Sequence, residues 1–129
     1  MIFGRLPKIT KIEGGASPLA SPEFVLDNYR AVAFIITNAQ DNELTIKVKA
    51  NTEDGTAEYI PFLLKENTDI DFEKVDTEGK MLTAGGVFIA AVTADSLGRK
   101  ELDRVSVEVT SDANVETIFA LQTQPRYHE

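Results

Sequence analysis

Catalysis in a chain of this kind would have to come from carboxylates, because almost every other reactive side chain is missing. There is no cysteine among the 129 residues, and the only histidine is His128. Hydroxyl and thiol nucleophiles need a positioned base, most often histidine. His128 stands next to the end of the sequence, where order is usually lost. Serine triads, thiolate chemistry and cysteine- or histidine-based zinc sites are therefore all disfavoured. Carboxylate pairs could still cleave glycosides. With no tryptophan and only Tyr29, Tyr59 and Tyr127, however, aromatic platforms for a sugar ring are scarce. A groove lined by those tyrosines defines the alternative reading, a ligand-binding module for a carbohydrate or cell-surface polymer. Two carboxylates facing each other in a cleft would define a third, a small enzyme.

The densest array of oxygen ligands is Asp69-x-Asp71-x-Glu73. Hard cations such as Ca²⁺ gather six to eight oxygens. Alternate side chains on a strand are about 7 Å apart, too far to share one ion without a bend. The segment also lacks the glycine turn of a calcium loop. It reads as a solvated acidic face, and no metal or cofactor is expected. Gly14-Gly15 and Gly85-Gly86 lack the spaced glycines and the Lys-Ser/Thr of a phosphate loop. Lys47 and Lys49 lie on the polar side of a strand with acids nearby, which suits cross-strand pairing.

Charge narrows the partners. The formal net charge is −8 and the pI is near 4.6, so a polyphosphate backbone would be repelled. Residues 41–78 hold eleven acids against four lysines, a balance of −7. Residues 1–11 hold Arg5, Lys8 and Lys11 and no acid. Those three cations are the candidate partner-binding residues, able to meet an acidic neighbour or a second copy. No apolar run approaches 18 residues, so no membrane-spanning helix is expected. The opening residues do not read as a signal peptide.

The elements that must carry these residues are strands. Leu44, Ile46, Val48 and Ala50 alternate with Thr45, Lys47 and Lys49. Val105, Val107 and Val109 alternate with Arg104, Ser106 and Glu108. Ile60, Phe62 and Leu64 share a side across Pro61, which should lie at an edge or bulge. Residues 31–37 and 43–50 look like a β-hairpin around a polar turn. Residues 69–75 read as a short strand with Ile70 and Phe72 inward. Turns are expected at 51–56, 77–80 and 111–114, and one helical turn at 95–98. Residues 86–94 are apolar without interruption, so they read as a strand covered on both faces or a buried helix segment. Phe34, Phe88 and Phe119 should join the core, with 118 and 121 inward.

Together these features predict an all-β, antiparallel β-sandwich, or alternatively a β-barrel, of about seven to eight strands. The Gly-, Pro- and Ser-rich residues 1–23 read as an extended N-terminal arm, with an edge strand possible within 2–12. Residues 24–129 read as a single sandwich domain.

The order of features across residues 28–123 supports a resemblance. A turn-rich leader precedes Ala31–Thr37 and the alternating Leu44–Ala50. Ile60-Pro61-Phe62 follows, and the series closes with Arg104–Thr110. This resembles the small β-sandwich accessory proteins, for head decoration or head completion, of tailed bacteriophages and prophages. The resemblance implies a non-catalytic virion structural or assembly protein, made in the bacterial cytoplasm. Its partners would be itself as a homo-oligomer and a capsid or other virion protein, with no nucleic acid and no membrane. It carries over no functional residue, because no residue motif is matched.

Overall fold

The computed structural model describes residues 8–25, 29–38, 44–51, 57–82, 85–93, 104–111, 115 and 117–125. They form twelve strands and, among the described residues, no helix. The strands are β1 (Lys8–Ile12), β2 (Leu19–Ala20), β3 (Phe24–Val25), β4 (Tyr29–Asn38), β5 (Leu44–Asn51) and β6 (Ala57–Ile60). They continue with β7 (Phe62–Glu66), β8 (Glu73–Val75), β9 (Lys80–Leu82), β10 (Gly86–Thr93), β11 (Arg104–Ser111) and β12 (Ile118–Pro125).

Two antiparallel sheets pack as a sandwich. Sheet I has the order β1-β12-β4-β10-β7-β8. Sheet II is built on β11 and β5, with β2 and β3 along the outer edge of β11 and β6 and β9 along the outer edge of β5. Period-two alternation sends one set of side chains inward from each sheet. Val32, Phe34 and Ile36 of β4 meet Ile46 and Val48 of β5 and Val105, Val107 and Val109 of β11 in one core. Phe24 of β3 and Phe34 of β4 join the layers edge to face, with centroids 5.6 Å apart. Such a geometry adds about 0.5–1.5 kcal/mol beyond area burial.

The expected hairpin of 31–37 with 43–50 is not formed. β4 pairs with β10 and β12, and β5 pairs with β6, β9 and β11. Alternation fixes which side of a strand is buried, but not which neighbour it bonds. Here consecutive strands cross from one layer to the other. The same happens at Pro61. Ile60 still pairs with Val48 in sheet II, while Phe62 pairs with Val75 in sheet I. Proline has no amide to donate, so it fits the residue where the chain leaves one ladder for the next. The chain returns through the turn at Asp76–Gly79, where the Gly79 N–H donates to the Asp76 carbonyl at 3.0 Å and Gly79 takes a φ of 82°.

The strand expected over 69–75 is only β8, Glu73–Val75. Ile70 is 92% exposed and Phe72 42%, and Val75 supplies the buried apolar group instead. Phe34 and Phe88 are buried as expected, but Phe119 is 41% exposed on the outer side. Ile118 is buried, whereas Leu121 shares the outward side with Phe119. The turns expected near 38–42, 51–56 and 111–114 fall largely outside the described residues, and the helical turn at 95–98 entirely so.

Residues 8–23, within the segment expected as an arm, run along the sandwich. β1 pairs with β12 and contributes Ile12 to the core. Beyond it, the small-residue stretch borders β11. Ser21 exchanges two bonds with Val107, its N–H donating to the Val107 carbonyl and its Oγ accepting from the Val107 N–H, both at 2.9 Å. Ser17 Oγ accepts from the Ser111 N–H at 2.8 Å. Serine hydroxyls thus complete a ladder that Pro18 and Pro22, lacking N–H groups, leave short.

Candidate functional site

The two outer faces of the sandwich differ in character. On sheet II the outward positions of β5, β6 and β11 are polar. Lys49 Nζ lies 3.1 Å from a Glu108 carboxylate oxygen, and the Tyr59 hydroxyl donates to the same carboxylate at 3.1 Å. The hydrogen bond to Glu108 raises the Lys49 ammonium above its ordinary pKa, against the opposing effect of burial. Burial pushes the Glu108 carboxyl up, but the bonds from Lys49 and Tyr59 outweigh it and hold the group below its ordinary value. The ammonium groups of Lys47 and Lys49 sit 5.0 and 5.2 Å from the Tyr59 ring centre, at cation–π range. This is a self-satisfied network.

Sheet I is apolar on its outer side as well as its inner one. One row across it reads Ile9, Leu121, Ala33, Ala91, Leu63 and Lys74, in that pairing order. The next reads Lys11, Phe119, Ile35, Ile89 and Lys65. Ile9 is 69% exposed, and Leu63 and Phe119 are about as open as each other, at 39% and 41%. Lys74 ends the first row, and Lys11 and Lys65 stand at the two ends of the second. No acidic residue occupies a described outward position of these strands, and Glu13, just beyond β1, is paired with Lys11 at 3.3 Å. Beside Leu63 a depression of about 250 Å³ is lined by Pro61, Phe62, Leu63, Lys74, Ala91 and Thr93.

The uninterrupted apolar run 86–94 was expected to be covered on both faces. β10 is a strand within sheet I, buried on one face and half-buried on the other. Its second apolar face, with that of β4, is what the outer surface of sheet I is made from. This is the signal by which the sequence could have revealed the surface.

The candidate cations divide. Lys8 and Lys11 are three residues apart on β1, so alternation sends them to opposite sides, and only Lys11 shares the apolar face with Phe119. Arg5 lies outside the described residues. Asp69, Asp71 and Glu73 come together with Glu66, Lys65 and Lys80 around a depression of about 240 Å³. Asp69 Oδ2 accepts from the Glu66 N–H at 3.2 Å, and Lys80 pairs with Glu73 at 3.5 Å. No grouping able to hold a metal ion occurs among the described residues. Tyr29 and Tyr59 belong to different sheets, and Tyr127 and His128 lie outside the described residues.

No protein-family profile and no curated protein matches the chain. Its structure is similar to the crystal structure of the SPBc2 prophage-derived protein YomS, with a TM-score of 0.59 and 19% sequence identity over 95% of this chain and 100% of that one. At this identity the similarity establishes a shared all-β sandwich fold.

Proposed function

We propose that this protein is a non-catalytic structural or assembly protein of a phage or prophage virion, acting through protein–protein contacts and assembled in the bacterial cytoplasm. The observation that carries the reading is the uncovered outer face of sheet I. A strand that is apolar on both sides belongs between two covering layers, and the described residues of one chain provide only one. Contiguous exposed apolar surface rimmed by polar groups marks an interaction site. The prophage origin of a structurally similar protein supports the phage setting. The reading as a carbohydrate-binding module draws less support, since Tyr59 already faces two lysines.

Cross-linking mass spectrometry on particles purified from the native host after induction tests this. Cross-links from Lys65 or Lys74 to a second copy or to another virion polypeptide would support the proposal. Absence of the chain from the particles would overturn it.

A further inference from the structure

Two exposed features of opposite character stand on one chain. The first is the apolar outer face of sheet I, where Lys74 lines the depression beside Leu63. The second is the connection between β7 and β8, residues 67–72. Ile70 stands at its tip, 92% exposed, and is flanked in sequence by Asp69 and Asp71. Leaving one large aliphatic side chain almost wholly in water is ordinary. Placing it between two carboxylates, on a chain that also carries an apolar hollow edged by the Lys74 ammonium, makes the two surfaces complementary in polarity and sign.

We infer that residues 67–72 of one copy dock on the outer face of sheet I of the next, with Ile70 in the hollow beside Leu63 and the flanking aspartates toward Lys74. This rests on the reading of that face as an interaction surface and names its occupant. A face-to-face pairing of two identical sheets would bring the lysine rims Lys11, Lys65 and Lys74 against one another, where like charges repel. The loop-to-face contact has opposite charges and uses different surfaces on the two copies. It is therefore heterologous, and it propagates into a ring if the rotation closes or a filament if it does not.

The test is sedimentation velocity on the full chain across a concentration series, with Ile70→Asp, Leu63→Glu and an equimolar mixture of the two. Circular dichroism checks that each variant is folded. If Leu63→Glu is not, the exposed Lys74→Glu takes its place. The wild-type chain is expected to form oligomers larger than a dimer. Ile70→Asp should weaken association by about thirtyfold, from the burial lost at one aliphatic side chain. Each variant alone should be monomeric. The mixture should form dimers and nothing larger, because Ile70→Asp keeps a sound face and Leu63→Glu keeps a sound loop.

A wild-type chain that stays monomeric throughout overturns the inference, while particle cross-links to a different polypeptide would leave the assembly role standing. Loss of association in Leu63→Glu but not in Ile70→Asp overturns it too, since the face would then have another occupant. A mixture that stays monomeric does the same.

Discussion

Gly79 and Gly85 offer a controlled pair of substitutions. Both hold a left-handed backbone, with φ of 82° and 83°. A Cβ at Gly85 would meet nothing within 4 Å, whereas one at Gly79 would run into the Ile46 carbonyl oxygen and come within 2.6 Å of Lys47 Cγ. Replacing either glycine by alanine imposes the left-handed penalty of about 1–2 kcal/mol. Part of it, about 0.4–1 kcal/mol, is offset by the smaller entropy of the unfolded chain. Gly85→Ala should therefore cost about 0–1.6 kcal/mol. Gly79→Ala adds an overlap with backbone that cannot rotate away, typically about 1–3 kcal/mol, so about 1–4.6 kcal/mol in all. The strain falls where Lys80 pairs with Ile46, so β9 should loosen first. Urea unfolding measures both, and a slope of about 1–3 kcal/mol/M separates the midpoints by roughly 1 M. Hydrogen exchange at Lys80–Leu82 should accelerate in Gly79→Ala alone. Equal midpoints for the two variants would refute the reasoning, because the cost would then lie in the dihedral and not in the contact.

Three further outcomes are expected. Phe34→Ala should cost about 3–5 kcal/mol as a buried cavity, while Phe119→Thr, on the outward side, should cost about 1–2 kcal/mol; urea unfolding of dilute protein compares them. The Lys49–Glu108 pair should contribute about 0.5–1 kcal/mol, read as the stability difference between wild type and Glu108→Gln at each pH. The folded Glu108 pKa is lowered and that of Lys49 raised, so this difference is full at neutral pH. It fades as pH falls through the lowered carboxyl value, and again as pH rises through the raised ammonium value. Tyr59→Phe removes one hydrogen bond to that carboxylate and should lose about 0.5–1 kcal/mol in the same assay.

Much of the sandwich was legible because alternation is a local signal. Leu44–Ala50 and Val105–Val109 face inward as their spacing implies. Pairing was not legible, because a ladder depends on which distant strand comes alongside. That is why 31–37 and 43–50 looked like neighbours and lie in different layers. Ile70 and Phe72 alternate as a strand would, yet the turn held by Glu66 and Asp69 takes the chain out of the ladder before Glu73. The candidate site was half visible. The doubly apolar character of 86–94 was plain, but sequence alone does not say whether a second layer comes from the same chain. The lysines on its rim come from β1, β7 and β8, which only the folded sheet brings to one face.

The strand order has a consequence for how this protein can be made. β12, the last of the described strands in chain order, lies inside sheet I between β1 and β4, and β11 lies inside sheet II with partners on both sides. Neither layer can close while synthesis is still short of them. Until then β4 holds an apolar stretch with one of its two ladder partners still unmade, the kind of transient exposure that invites aggregation. Folding is thus tied to completion of this span, and a product ending before Ile118 lacks an interior strand rather than a trimmed edge.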